Sequence, residues 1–234
     1  MKLVLTCEHG GNIIPIKYLP LFGEAEEVLN SHRGFDLGAL DLFDFLSKLA
    51  GYNQSNTFSR LLIEINRSHD HPKLFSEFTS VLSHKEKIEL IETYFFPYRY
   101  EIEKNISKFL EKGEEVLHFS VHSFTPLWKG EFRNADIGLL YDPAKEREKS
   151  FCKNLKQQLL QLSPTLKIRY NYPYLGIADG FTTFLRTQFP NKYYGIELEV
   201  NQKFSSQNKM EPLLKTSIFN ALEICLKNNN GPEN

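Results

Sequence analysis

The pattern of apolar and polar positions predicts strands that alternate with helices along the chain. Short aliphatic and β-branched runs bounded by polar or glycine-containing breaks are typical of strands. Longer stretches with apolar residues three and four apart are typical of helices that bury one face. The predicted strands are residues 2–5, 57–65, 115–121, 136–141, 166–170 and 193–200. The predicted helices are residues 36–50, 83–113 with an interruption at Pro97, 142–162, 181–188 and a last one that begins at Pro212.

This alternation predicts one α/β domain with a mostly parallel sheet. The chain has 234 residues, with no internal repeat and no linker long enough to divide it. We therefore assign residues 1–227 to a single domain and expect residues 228–234 to form a disordered tail.

Composition narrows the classes of function. A net charge of -1 provides no electrostatic argument for binding nucleic acid or an anionic membrane surface. The three cysteines, Cys7, Cys152 and Cys225, form no CxxC pair, which favours a reducing compartment and argues against an all-thiolate zinc site. The chain starts directly in strand pattern, and no apolar run approaches membrane-spanning length. These features predict a soluble cytoplasmic protein.

Polar side chains follow, or end, four of the predicted strands. In open α/β sheets, groups that bind ligands collect beyond the carboxyl ends of the strands, so these side chains can converge at one edge of the sheet. A further carboxylate, Asp36, stands at the start of the first predicted helix. The four clusters are Glu8/His9, Asn66/Arg67, His122/Ser123 and Glu197/Glu199.

This combination of residue types suits a catalytic zinc site. Two imidazoles and a carboxylate hold the ion and leave its fourth position to water, while an unbound glutamate takes and returns a proton. An arginine beside an asparagine can hold a substrate carboxylate. By contrast, we interpret the His-Asp-His segment at residues 69–71 as a solvated turn. No nucleophile elbow accompanies Ser123, which argues against serine hydrolysis.

Six short motifs follow one another along the chain. They are Cys7-Glu8-His9-Gly10-Gly11-Asn12-Ile13-Ile14-Pro15, His32-Arg33-Gly34-Phe35-Asp36-Leu37-Gly38-Ala39, Arg60-Leu61-Leu62-Ile63-Glu64-Ile65-Asn66-Arg67, Phe96-Pro97-Tyr98-Arg99, Val121-His122-Ser123-Phe124 and Ile196-Glu197-Leu198-Glu199-Val200-Asn201. In order and spacing, from about residue 3 to residue 202, this set resembles the N-formylglutamate amidohydrolase family.

The resemblance implies a fold and an activity. The fold is a three-layer α/β/α arrangement around a mixed, mostly parallel central sheet, similar to zinc carboxypeptidases and aspartoacylase-like deacylases. The activity is that of a zinc-dependent amidohydrolase with one zinc per chain. Such an enzyme cleaves the amide of a small N-acyl amino acid, such as N-formyl-L-glutamate, through a metal-activated water.

The resemblance also implies roles for individual residues. By it, His9 and His122 are metal ligands and Glu199 is the general base. Asn66 and Arg67 bind the carboxylate of the substrate.

The third metal ligand has three candidates. Zinc carboxypeptidases use a His-x-x-Glu pair, but Asn12 occupies the matching position here, and asparagine is a poor zinc ligand. Asp36 or Glu8 must then replace it, and we prefer Asp36. The general base also has an alternative, because period-two alternation puts Glu197 on the same face of its strand as Glu199.

Two alternative functions remain open. The departure at Asn12 motivates a non-catalytic descendant of the same fold that binds a carboxylate or a metal. The related fold also allows a zinc carboxypeptidase-like hydrolase of small peptides. Under every reading the expected partner is a small molecule, not a nucleic acid or a membrane, and the oligomeric state is left open.

Overall fold

Six strands form one central sheet in the computed structural model, which describes residues 1–229. In chain order the strands are β1 (Lys2–Cys7), β2 (Tyr52–Ser55), β3 (Val116–Phe124), β4 (Leu127–Trp128), β5 (Glu131–Phe132), β6 (Ile137–Leu140), β7 (Ile168–Tyr170), β8 (Tyr193–Asn201), β9 (Ser205–Ser206) and β10 (Lys209–Met210). The sheet order is β2-β1-β3-β8-β6-β7, and only the β8–β6 pair within it is antiparallel. The sheet is therefore mixed and mostly parallel, as predicted.

Helices cover both faces of this sheet. They are α1 (Glu26–Leu29), α2 (Ala39–Leu46), α3 (His84–Leu90), α4 (Phe96–Glu111), α5 (Glu146–Leu162), α6 (Phe181–Gln188) and α7 (Pro212–Asn229). One apolar cluster joins alternate residues of the strands to α2, α5 and α7, and a second joins the opposite face to α3, α4 and α6. These two clusters make the fold a three-layer α/β/α arrangement, which confirms the expected class.

Alternation along the strands decides which residues enter the core. In β8, Ile196, Leu198 and Val200 all belong to the first cluster. Successive side chains of a strand point to opposite faces, so Glu197 and Glu199 share the other face. That face also carries the polar residues of β3, and it is where the candidate site lies.

The predicted strand over residues 57–65 is wrong. Apart from an isolated parallel bridge between Phe58 and Ile13, those residues form turns and irregular backbone. The strand beside β1 is β2, a few residues earlier. The Ser59 side chain accepts from Leu61 N and donates to Gly34 O, which stabilises a turn. The aliphatic run that follows is buried without strand pairing. A short apolar run cannot by itself distinguish a strand from other buried backbone.

Two predicted helix starts are also wrong. The helix predicted from residue 36 begins at Ala39, because Gly38 has a left-handed φ of 78°. Asp36 is consequently in the loop before the helix. Asp142 does not cap α5, because its carboxylate accepts from Ala144 N in a turn and the helix starts only at Glu146.

Other local predictions hold. The capping box at Ser83 is present, and the interruption near Pro97 is a π-helical turn, Ile91–Phe95, between α3 and α4. The last helix runs to Asn229, two residues beyond the expected domain boundary, and residues 230–234 of the predicted tail lie outside the described residues. Within residues 1–229, none of the helices is both long and apolar enough to cross a membrane.

Candidate metal centre and binding cleft

Three nearly buried side chains meet at the carboxyl ends of β1 and β3. His9 follows β1, His122 lies near the end of β3, and Asp36 lies in the loop before α2. The Asp36 N–H donates to the His9 carbonyl over 2.9 Å, which ties the two loops together. One possible ligand atom from each residue lies within 4.8 Å of the other two.

The loop after β1 is held in place by its glycines. Gly10 N donates to Asn56 O over 3.0 Å. Gly11 lies so close to Thr57 that a Cβ atom would be 2.3 Å from the Thr57 carbonyl oxygen. This approach excludes any side chain at Gly11 and holds His9 at the edge of the sheet.

Buried carboxylates orient both histidines. His122 Nε2 lies 3.1 Å from a Glu8 carboxylate oxygen, and its Nδ1 lies 2.9 Å from Asp36 Oδ2. His9 Nε2 lies 2.6 Å from Glu64 Oε1, and its Nδ1 lies 3.5 Å from the same Asp36 oxygen. An ionised carboxylate can only accept, so each Nε2 carries a proton toward its outer carboxylate. Both Nδ1 atoms then face Asp36.

The charges of this group favour a cation between the histidines. Burial by itself raises the pKa of Asp36, but His9 and His122 together hold it well below its usual range. Burial opposes the charged form of His122, yet Asp36 and Glu8 raise its pKa well above the ordinary histidine value. The histidine proton thus neutralises a surplus of carboxylates, a task that a divalent cation performs as well.

Among the three candidate third ligands, the structure brings only Asp36 into the group. The Glu8 carboxylate lies behind His122, where it accepts from Tyr98 OH over 3.2 Å and from Ser120. The Asn12 amide donates to backbone and side-chain oxygens at residues 29 and 30, away from the histidines. Of the three candidates, Asp36 is therefore the one that lies near both histidines.

Glu199 lies beside the group on the neighbouring strand. In the β3–β8 register it is opposite His122, whereas Glu197 is opposite Ser120. Glu199 is 4% exposed, and its Oε2 has no hydrogen-bond partner among residues 1–229. Burial, reinforced by the charges of Asp36 and Glu197, raises the pKa of Glu199 to about 8. A carboxyl group with this pKa can both accept and release a proton near neutral pH.

Asn66 and Arg67 lie in the loop that closes one side of the site. Asn66 Oδ1 accepts from Phe181 N over 2.9 Å, and its Nδ2 lies 3.5 Å from His122 Nε2. Arg67 Nη1 donates to the carbonyl of Asp179. In the described part of the chain, no carboxylate pairs with Arg67 within 4.0 Å, so its guanidinium is available to a ligand.

Sequence reasoning missed Glu64 and Arg60. Arg60 donates to Glu64 Oε2 over 2.5 and 2.9 Å, and its Nη1 lies 3.5 Å from Asp36 Oδ1. This pair fixes the carboxylate that orients His9. Arg60 and Glu64 are four residues apart in the sequence. In the predicted strand that spacing would keep their side chains too far apart to form an ion pair, whereas the observed turns bring them together.

The site opens into a cleft of about 490 Å3. Four cationic side chains, four carboxylates and three histidines line it, and Trp128 and Tyr174 add aromatic walls. A small anionic molecule with an apolar portion fits this lining. The cationic side chains are Arg33, Arg60, Arg67 and Lys73, and the carboxylates are Asp36, Asp179, Glu197 and Glu199.

Another buried histidine, His118, lies deeper on the same face of the sheet and contacts two hydroxyl groups. His118 is 0% exposed, with Thr6 Oγ1 2.8 Å from its Nε2 and Tyr193 OH 2.8 Å from its Nδ1. Its alternation with Leu117 and Phe119 in the sequence already indicates a polar row on one face of β3. Burial lowers the pKa of His118 to about 4, so it is neutral in the folded protein.

This neutral histidine makes stability depend on pH. The unfolded chain binds a proton at His118 near the ordinary histidine pKa of about 6.5, whereas the folded protein binds it only near pH 4, so acidification favours unfolding. Between about pH 7.5 and about pH 5, the wild type should lose about 2 kcal/mol of unfolding free energy that a His118→Gln variant does not lose. Denaturant unfolding of both metal-free proteins measures this difference. Parallel pH dependences would contradict the neutral histidine.

Comparison with known proteins identifies the family. A solved structure of a gene product from Agrobacterium tumefaciens is 25% identical, with a TM-score of 0.81 over 98% of this chain and 92% of the other. The N-formylglutamate amidohydrolase from Ralstonia eutropha is 17% identical and similar in fold, with a TM-score of 0.73 over 99% and 95%. No curated protein matches the sequence. The family described as N-formylglutamate amidohydrolase matches residues 1–205. Since this match spans most of the chain and confirms the resemblance of the motifs, the protein belongs to the N-formylglutamate amidohydrolase family.

Proposed function

We propose that the protein is a zinc-dependent amidohydrolase that cleaves the amide of N-acyl amino acids of the N-formyl-L-glutamate type. One observation supports this most directly. The His9–Asp36–His122 group lies beside Glu199, a buried carboxyl with one oxygen that is unpartnered within residues 1–229, in a cleft lined by arginines. Family membership supports the amidohydrolase class, and the cleft supports the carboxylate-bearing substrate.

The donor set fits a zinc ion. His9 Nδ1 is buried without a hydrogen bond in residues 1–229, which is costly unless something else occupies it. His9, Asp36 and His122 offer two nitrogens and one oxygen, and the outer carboxylates orient the imidazoles as is usual around metals. These three residues would hold the ion. When bound, zinc acts as a Lewis acid that polarises a carbonyl and lowers the pKa of water.

Glu199 supplies the proton transfer. Its carboxylate takes a proton from the attacking water and delivers it to the amine nitrogen as the amide bond breaks. The raised pKa of about 8 matches this double role, since the group must bind and release the same proton. Burial in the cleft keeps bulk water from competing for that proton.

Asn66 and Arg67 orient the substrate. The Arg67 guanidinium binds the free carboxylate, and the Asn66 amide, fixed by Phe181 N, presents its Nδ2 to the cleft. Among the additional cations in the lining, Arg33 already pairs with Glu77, whereas Lys73 pairs with no carboxylate within residues 1–229 and favours a substrate with more than one carboxylate. N-formyl-L-glutamate has two.

The assay that tests this proposal measures both metal and product. Protein purified with added zinc should contain about one zinc per chain and release formate from N-formyl-L-glutamate. N-acetyl-L-glutamate and N-formyl-L-alanine, tested in parallel, define the acyl and side-chain preference. No bound zinc, or bound zinc with no turnover of any N-acyl amino acid, would instead favour the non-catalytic binding function.

The role of Arg67 predicts a substrate-dependent loss. Arg67→Ala should raise KM for N-formyl-L-glutamate by roughly 10- to 100-fold, because a charge-assisted hydrogen bond to a carboxylate contributes about 1.5–3 kcal/mol. Steady-state kinetics should show a much smaller effect on the N-formyl-glutamate diamide, which has no carboxylate. Arg147→Ala, which changes an exposed arginine paired with Glu115, is the control. Equal losses on both substrates would contradict a carboxylate clamp.

A further inference from the structure

Arg99, in α4, is a buried cation without a buried counterion. It is 4% exposed, and among residues 1–229 no carboxylate lies within 4.0 Å of it. Its guanidinium lies 4.4 to 4.7 Å from the ring centroids of Phe95, Phe181 and Phe184. Burial lowers its pKa to about 10, so the position carries an electrostatic cost. An apolar side chain of similar volume would fill this space without that cost.

The Arg99 guanidinium donates hydrogen bonds to the backbone of one loop. Its Nη1 donates to the carbonyl oxygens of Ile65 over 3.3 Å and of Arg67 over 2.7 Å. These two carbonyls belong to the residues on either side of Asn66. One guanidinium nitrogen therefore holds both ends of the three-residue segment that contains Asn66.

The aromatic cage around Arg99 acts on the same segment. Phe181, which packs on the guanidinium, donates its backbone N–H to Asn66 Oδ1 over 2.9 Å. The Asn66 amide is thereby oriented with Nδ2 toward His122. Within residues 1–229, the hydrogen bonds of Arg99 reach the cleft through this loop.

We propose that Arg99 is a positioning residue that sets the Asn66–Arg67 loop for binding the substrate carboxylate. This inference rests on the proposed function of that loop. Misplacing a substrate-binding group by about 1 Å can cost about 100-fold in rate. We therefore expect the position of the Asn66 backbone, which Arg99 holds, to affect the reaction rate.

The surroundings of Arg99 make a specific rescue experiment possible. A separate apolar cleft of about 740 Å3, lined by Phe95, Phe184 and Arg99 itself, opens beside the guanidinium. In an Arg99→Ala variant, a free guanidinium ion can enter through this cleft and occupy the vacated position. Lysine, with one compact charge and no planar fork, cannot reproduce the stacked, two-carbonyl arrangement.

The experiment compares Arg99→Ala and Arg99→Lys with wild type on N-formyl-L-glutamate. We expect kcat/KM to fall roughly 10- to 100-fold in both, with most of the change in KM, and zinc content to stay at the wild-type value. Guanidinium chloride well below denaturing concentrations should restore part of the Arg99→Ala loss. Ile106→Val, a buried change on the same helix, controls for lost stability.

Hydrogen–deuterium exchange tests the loop without reference to activity. Amides in residues 64–69 should exchange faster in Arg99→Ala than in wild type, and added guanidinium should reverse this. Unchanged KM, or exchange in residues 64–69 no faster than in Ile106→Val, would overturn the proposal. If the wild type hydrolyses no N-acyl amino acid, the proposed function fails, and the exchange measurement still decides whether Arg99 holds the loop.

Discussion

Glu199→Gln should keep zinc at the wild-type stoichiometry and lose roughly 100- to 10,000-fold in kcat, the range typical of a removed general base. Glutamine fills the same volume and retains hydrogen-bonding ability, but it cannot take up a proton. Glu199 is not in the His9–Asp36–His122 group, so the donor set is untouched. Elemental analysis and steady-state kinetics on the same preparation separate the two effects.

Glu197→Gln is the matched control for this prediction. Glu197 lies two residues earlier on the same face of β8, and its pKa is also raised, chiefly by burial. Glu197 is opposite Ser120 in the register, whereas Glu199 is directly opposite His122, so Glu197 lies farther from His122 along the strand. A larger kcat loss in Glu197→Gln than in Glu199→Gln would transfer the general-base role to Glu197.

His9→Ala/His122→Ala should lose both the bound zinc and all measurable turnover. Asp36 alone provides one oxygen donor, which does not hold zinc at neutral pH against water. The double variant should also be less stable than the wild type, because removal of His122 takes away a partner of the buried Glu8 and Asp36 carboxylates. Elemental analysis, with circular dichroism to confirm folding, measures the loss.

A double variant in another histidine loop controls for nonspecific effects. His69→Ala/His71→Ala removes one exposed and one half-buried histidine of the segment interpreted as a solvated turn. It should retain about one zinc per chain. Zinc retained by His9→Ala/His122→Ala and lost by His69→Ala/His71→Ala would contradict the metal centre. If the folding of the first variant fails, Asp36→Asn, which keeps the volume, should still weaken zinc binding and so tests the same site.

Much of the architecture was predictable from local sequence. Periodicity located β8, α4 and α6, and the capping box at Ser83 marked the start of α3. These features depend on neighbouring residues only, so they are visible without the fold. The order of short motifs was enough to recognise the family, because their spacing reflects the order of the strands that carry them.

Other parts required contacts between distant residues. Residues 57–65 look like a strand, yet β1 already pairs with β2 and β3, and the aliphatic run instead packs as turns in the second apolar cluster. Likewise, nothing near Asp36 in sequence shows that Gly38 delays the helix and leaves the carboxylate between two histidines. Glu8 and Asp36 were both candidates for the third ligand, with Asp36 preferred, and in the structure Asp36 lies near both histidines whereas Glu8 contacts His122 from behind.

The sequence by itself determined the α/β class, the family and the set of residue types that converge on one edge of the sheet. Tertiary structure alone decided which carboxylate faces the histidines and which carboxylates stand behind them. It also decided that Arg99 donates hydrogen bonds to the loop around Asn66. The physical reason is range. Strand and helix periodicity arises within a few residues, whereas the contacts His9–Glu64, His122–Asp36 and Asn66–Phe181 join residues 55 to 115 positions apart, which only the folded chain brings together.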